Sequence, residues 1–186
     1  TVRGLLCVKP GCGAYVQELS VRAAAAPLQL LLKLRQTPHP YHNLHEVRRT
    51  IEVECAGLAA SRADAGDLER LCGTYDRMAE HLHEAEPFAT ADLDFHLTLA
   101  AATHNDLFPV LLAPITDLLS EAILVSYYGP GASEAGLAHH RAILDAVQIR
   151  DAAQAREAMC RHIDASERLI AALQTGLDAP GASGPD

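Results

Sequence analysis

The sequence predicts an all-α protein, an antiparallel bundle of about six or seven helices. Hydrophobic residues make up 49% of the chain, mostly Ala and Leu with no Trp, which favours helices over sheets. From residue 43 onward the apolar side chains recur at the spacing of one helix face. The segments between these runs are short and begin or end at capping residues, Pro or Gly, as in a compact helical bundle.

Residues 1–16 are the exception, because two short apolar runs flank the turn KPGCG. A two-stranded hairpin is marginally stable alone, so we expect this one to be the end of a further domain whose remainder is missing. Residues 17–42 then form a helical connector, and residues 43–174 form the helical domain. The Pro/Gly/Ser-rich residues 175–186 are predicted to be a disordered tail.

Capping residues and breakers divide the helical domain. Pro114 lies inside a Leu/Ile-rich helix that runs to about Tyr128 and predicts a kink there. The run Gly129-Pro130-Gly131 separates that helix from the next. The residues predicted to cap helix N-termini are Asn43, Asp64, Thr90, Asn105, Ser133 and Asp151.

Charge and cysteine content exclude several classes of protein. The formal net charge of −9 argues against a nucleic-acid surface within this chain. The five cysteines have no CxxC spacing and indicate reduced thiols in a cytoplasmic protein. We expect no membrane span, since no run of about 18 apolar residues is evident, and no signal peptide is visible.

Four polar residues lie on stripes predicted to face the core. In ADLDFHLTLA, residues 91–100, Asp92 and His96 are four positions apart and therefore share a helix face. His140 lies on the apolar stripe of the helix after Gly131, and His162 lies on that of the last helix. A bundle brings such side chains from different helices together.

Two interpretations of these residues remain open from the pattern. A single His on an apolar stripe is usually a hydrogen-bonded core residue, and an Asp–His pair at this spacing is usually a surface pair. Burial of three imidazoles and a carboxylate together costs several kcal/mol unless they are paired or ligate a cation. Neutral imidazole and carboxylate suit zinc and other borderline divalent ions. The other histidines are mostly predicted to be solvated: His39, His42, His45, His81, His83, His104 and His139.

Three segments carry a resemblance to a known family. They are EVRRTIEVECAGLAA at 46–60, DLDFHLTLAAATHN at 92–105 and HHRAILDAVQIRDAAQAREAMCRHI at 139–163. Together they resemble, in order, the ligand-binding C-terminal domain of FadR-type GntR transcription regulators, called the FCD domain. The opening GLLCVKPGCGAYV resembles the wing at the end of the winged helix-turn-helix domain that precedes it in such regulators.

The resemblance implies a site and a function. The metal-binding members of the family use one Asp and three His, which fall on Asp92, His96, His140 and His162. The ion would be zinc, with nickel or manganese as alternatives, and a small organic-acid effector would bind beside it. Arg48 is a candidate to hold its carboxylate, as a guanidinium can do in bidentate fashion, although it can also pair with Glu52.

Asn105 matches a family residue and is a second effector-binding candidate, with helix capping as its alternative. The resemblance also implies a cytoplasmic homodimer that binds operator DNA through the missing winged-helix domain. The effector would then alter how the two DNA-reading heads are placed on the operator.

Two other functions compete with a regulator. A three-His, one-carboxylate ion could activate water in a hydrolase, but nothing in the sequence marks the second acid or base that hydrolysis usually needs. A metal-free helical module for dimerisation or acyl-ligand binding is the other alternative. Turnover abolished by His162→Ala would favour the enzyme, and a neutral Asp92→Ala without bound metal would favour the metal-free module.

Overall fold

A computed structural model describes residues 6–9, 11, 13–16, 21–34 and 40–177. Within these residues the chain is a helical bundle preceded by one hairpin, which confirms the predicted fold class. The hairpin pairs β1 (Leu6–Lys9) with β2 (Gly13–Val16), and the helices are α1 (Val21–Leu34), α2 (Pro40–Arg62), α3 (Ala65–Glu80), α4 (Ala85–Ala101), α5 (Leu107–Leu112), α6 (Thr116–Tyr127), α7 (Ala132–Gln148) and α8 (Ala152–Leu177). A 3-10 turn, Ala113–Ile115, joins α5 to α6.

Helix α2 runs through the centre of the bundle and packs along α8. Ion pairs link Arg49 to Glu167 near the middle of α2 and Glu54 to Arg156 further along it, so the two helices are antiparallel. The main core lies between α2, α3, α4, α7 and α8. A second apolar cluster under α6 includes Leu44, Leu119, Ile123 and Ile170. The polar residues described below lie where α2, α4, α7 and α8 meet.

Of the six predicted caps, Asp64 and Asp151 hold, Asn43, Thr90 and Ser133 fail, and Asn105 accepts from the Leu107 amide at the start of α5. Asp64 forms a capping box with Asp67, and Asp151 accepts from the amides of Ala153 and Gln154. Asn43 and Thr90 lie inside helices instead, because Pro40 begins α2 and Pro87 occupies the first turn of α4, where the missing N–H costs nothing. Helix α7 begins at Ala132, after Gly131 turns the chain with a φ of 67°, so Ser133 is not its cap.

Two predicted boundaries also change. Helix α8 reaches Leu177, so residues 175–177 are helical, whereas residues 178–186 lie outside the described part of the chain. Pro114 produces a short 3-10 turn between two helices where we expected one kinked helix. In the predicted connector, α1 is helical, while residues 17–20 and 35–39 lie outside the described residues.

The segment Leu107–Tyr127 corrects the expectation that no stretch is apolar enough to span a membrane. It is 21 residues long and passes that test by length and composition. The turn at Pro114 interrupts it, and it carries Asp117 and Glu121. Its buried side chains, including Leu119, belong to the core. Core helices of bundles share these properties, so the segment is weak evidence for a span.

The capping box at α3 predicts a pH-dependent stability. Burial raises the pKa of Asp67, but the Asp64 amide, His104 and Arg70 outweigh it, so the pKa lies below its usual value. The stabilisation is therefore complete above the ordinary carboxyl pKa of about 3.9 and is lost as the pH falls through the lower folded value.

We expect Asp67→Asn to reduce the free energy of unfolding by about 1 kcal/mol at pH 7, and this difference to shrink below about pH 4. Urea unfolding between pH 3 and 7 measures it. Asp76→Asn, an exposed change on the same helix, is the control and should be close to neutral. A deficit for Asp67→Asn that stays constant over this range would contradict the assignment.

Candidate metal centre

Four side chains from three helices converge at the centre of the bundle. Asp92 and His96 come from α4, His140 from α7 and His162 from α8, and all four are buried. Each of the three histidines offers a ring nitrogen within 4.8 Å of the other two. Asp92 Oδ1 lies 3.2 Å from His96 Nε2 and 3.6 Å from His140 Nε2. The structure thus brings together all four residues predicted as ligands.

In His96 and His140, the ring nitrogen Nδ1 contacts a neighbouring group. His140 Nδ1 lies 2.8 Å from the Gly136 carbonyl, which can only accept, so this nitrogen donates a hydrogen bond and Nε2 is the nitrogen that faces the cluster. His96 Nδ1 lies 2.5 Å from Glu52 Oε2. A hydrogen bond like the one between His140 and Gly136 fixes the orientation of histidines that ligate metals. Phe95 packs edge-on against the His140 ring, with the ring centroids 4.9 Å apart.

Arg48 of α2 reaches the same cluster. Its Nε donates to Glu52 Oε1 at 2.7 Å, and both side chains are almost completely buried. Its Nη2 lies 3.2 Å from His96 Nε2 and 3.4 Å from His162 Nε2. The two interpretations of Arg48 are therefore compatible, since it pairs with Glu52 and also faces the predicted site.

The cluster contains buried polar atoms without a hydrogen bond. They include Asp92 Oδ1 and His140 Nε2, and also Glu52 Oε2 and His96 Nδ1, whose contact is close but lacks hydrogen-bond geometry. An unsatisfied buried polar group costs about 1–3 kcal/mol. Three imidazole nitrogens and one carboxylate form a donor set that zinc accepts, so the residues fit a divalent cation.

The electrostatics are compatible with ligation. Burial raises the pKa of Asp92, but His140 and His96 outweigh it and hold the pKa well below its usual range, so the carboxylate is ionised. Burial, His140 and His96 lower the pKa of His162, so this ring is neutral at pH 7. Burial lowers the pKa of His96, but Glu52 and Asp92 raise it to about 9. Ligation by His96 must therefore release a proton.

A cavity of about 240 Å³ opens beside the four residues. Arg48, Asp92 and His162 are among its lining residues, and the turn between α6 and α7 forms part of its wall. His139, predicted to be solvated, is half-buried and lines this cavity. Of the two adjacent histidines, His140 therefore faces the cluster and His139 the cavity. The remaining lining residues are Phe88, Ile123, Ser126, Tyr127, Pro130, Gly131, Ala132, Ser133, Ala135, Gly136, Ala165, Ser166 and Leu169.

Comparison with known proteins identifies the family. The sequence model of the FCD domain matches residues 43–165, about two thirds of the chain. The chain belongs to the FCD domain family. The regulator LutR of Bacillus subtilis is 30% identical over 172 residues, which cover 90% of this chain and 78% of LutR. A putative L-lactate dehydrogenase operon regulatory protein of Escherichia coli is 28% identical, covering 86% of this chain and 64% of that protein.

A solved structure shares the fold. Streptococcus agalactiae GntR matches with a TM-score of 0.75 and 24% identity, over 90% of this chain and 76% of that one. The FCD match and the regulator LutR confirm the resemblance to GntR-type regulators. The chain is the effector-binding FCD domain of such a regulator, and since the relatives are transcription regulators it is not an enzyme.

Three residues around the site of this FCD domain were not predicted or were placed differently. Glu52 was considered only as a partner of Arg48, yet it also contacts His96. His45 was expected to be solvated but is 1% exposed, between the Tyr41 carbonyl and Ser166. Asn105 lies away from the cavity, where its Oδ1 accepts from the Leu107 amide at the start of α5. Capping therefore accounts for Asn105 better than effector binding does.

Proposed function

We propose that this FCD domain binds one divalent cation through Asp92, His96, His140 and His162 and senses a small carboxylate in the adjacent cavity. Zinc is the preferred ion, with nickel or manganese as alternatives. The observation that carries the proposal is the convergence of these four buried side chains, with unpaired polar atoms directed at one another. The bound ion would supply a Lewis-acidic centre with open positions for a carboxylate oxygen.

The chain's own residues favour an anionic ligand in the cavity. Arg48 lines the cavity and is held in place by Glu52. Its guanidinium offers further N–H donors to a carboxylate. The E. coli relative is named for an L-lactate dehydrogenase operon, and lactate is a small carboxylate, which agrees with this ligand class.

Helix α6 offers a route from the cavity to the predicted connector. Ile123, Ser126 and Tyr127 line the cavity near the end of α6. At its beginning, Thr116 and Asp117 contact Gln29 of α1, and Asp117 also pairs with Lys33 at 2.7 Å. A ligand that favours one position of α6 would thereby shift the position of α1. In a longer cytoplasmic regulator that acts as a homodimer, this shift would change operator binding.

The test is a calorimetric titration of zinc-loaded protein with a panel of small carboxylates. We expect at least one acid to bind, and its binding to slow or hasten hydrogen exchange of α1. Asp117→Asn should leave the affinity unchanged but reduce the response of α1, since it weakens the contacts with Gln29 and Lys33. Binding without any response of α1 would contradict the route through α6, and no binding by any acid would contradict carboxylate sensing.

A further inference from the structure

The hydroxyl groups that line the cavity have their hydrogens committed elsewhere. Ser126 donates to the Ile123 carbonyl at 2.9 Å, and Tyr127 donates to the Leu82 carbonyl at 3.1 Å. Since a carbonyl oxygen only accepts, the hydroxyl hydrogen is used in each of these bonds. What these two groups can still offer a ligand is an oxygen lone pair.

The hydroxyl hydrogen of Ser166 is also used in a hydrogen bond, in this case to His45. His45 Nδ1 lies 2.6 Å from the Tyr41 carbonyl, so this nitrogen carries a proton. Burial and Arg48 lower the pKa of His45, so the ring is neutral and its Nε2 has no hydrogen. The 3.1 Å contact between His45 Nε2 and Ser166 Oγ is therefore a bond that Ser166 donates. The Ser166 oxygen can then only accept from a ligand.

This arrangement of hydrogen-bond donors and acceptors favours ligands that carry both a carboxylate and a hydroxyl group. Arg48 provides donors to the cavity, whereas the hydroxyl oxygens provide acceptors. An ionised carboxylate has no hydrogen to donate, so a second carboxylate or an unsubstituted chain gains nothing from those oxygens. A hydroxyl group on the ligand can donate to them.

We propose that Ser166, oriented by His45, is the specificity-determining residue that selects carboxylates carrying a hydroxyl group. The inference rests on the proposed carboxylate sensing and specifies its ligand class as hydroxy acids. Ser166 is half-buried on α8, one turn after His162, so a ligand whose carboxylate lies at Arg48 and the cation has Ser166 within the same cavity. The remaining acceptors, Ser126 and Tyr127, would serve longer polyhydroxy acids.

The experiment compares matched acids on zinc-loaded protein by calorimetry. The pairs are lactate with propionate, 3-hydroxybutyrate with butyrate, and gluconate with hexanoate. For at least one pair we expect the hydroxy acid to bind about fivefold more tightly, the equivalent of one neutral hydrogen bond. Ser166→Ala should abolish that preference without changing the affinity for the unsubstituted acid, and Ser166→Thr should restore it.

Ser133→Ala is the matched control, because Ser133 also lines the cavity but donates to the exposed Glu134. It should keep the preference. If Ser166→Ala keeps the preference, the cation or another group recognises the hydroxyl group of the ligand. If both acids of every pair bind equally well, no group in the cavity recognises it. Either result overturns this inference alone, whereas absence of binding by all six acids overturns carboxylate sensing together with it.

Discussion

Protein purified without chelators is expected to carry about one divalent ion per chain, and Asp92→Asn or His162→Ala to lose it. Each change removes one of four converging donors, and a cation held by the folded state alone stabilises that state by mass action. At an ion concentration about 1,000 times its dissociation constant, the stabilisation is about 4 kcal/mol. Mass spectrometry measures the metal content, and thermal unfolding with and without chelator measures the stabilisation.

The same helix supplies a control for the first of these variants. Asp94 lies two residues from Asp92, but its side chain is 47% exposed and pairs with Arg77, so Asp94→Asn should keep the ion. His83→Ala, a change at an exposed histidine, serves the same purpose for His162. Parent protein without metal, with Asp92 and His162 variants as stable as the controls, would make the cluster an ordinary buried hydrogen-bonded group.

The sequence predicts those features that depend on neighbouring residues along one helix. Asp92, His96, His140 and His162 are recognisable because they lie on the apolar stripes of three helices, and all three stripes face one core. The caps Asp64 and Asp151 are recognisable because a carboxylate before a helix accepts from amides two or three residues later. Thr90 and Ser133 are not caps, because Pro87 and Gly131 determine where their helices begin. The capping pattern alone takes no account of Pro87 and Gly131.

Features that depend on how the helices enclose one another were not predictable in this way. His45 and Glu52 are on α2, which is covered by other helices over much of its surface, so several of its polar side chains are buried. A periodic pattern shows which face of a helix is apolar, but not that its polar face is covered too. The cavity has the same origin, since its wall combines α2, α4, α6, α7 and α8 with the turn after α6.

The largest effect on stability outside the proposed ligands is expected at Glu52. Its carboxylate is the partner of Arg48, and the two side chains are 2% and 1% exposed. Removal of one member of a buried ion pair leaves an uncompensated charge and costs about 3–5 kcal/mol. Glu52→Ala should therefore lower the free energy of unfolding by about that amount, measured by urea unfolding with chelator present so that metal binding does not contribute.

Glu54 on the same helix provides the comparison. It pairs with Arg156 at 2.8 Å, but these side chains are 47% and 38% exposed. Exposed pairs contribute about 0–1 kcal/mol, so Glu54→Ala should cost no more than that. If Glu52→Ala were no more harmful than Glu54→Ala, water or another group would have to compensate Arg48. A double change of Arg48 to Met and Glu52 to Leu tests the cause directly, because removal of both charges should recover much of the stability that Glu52→Ala loses.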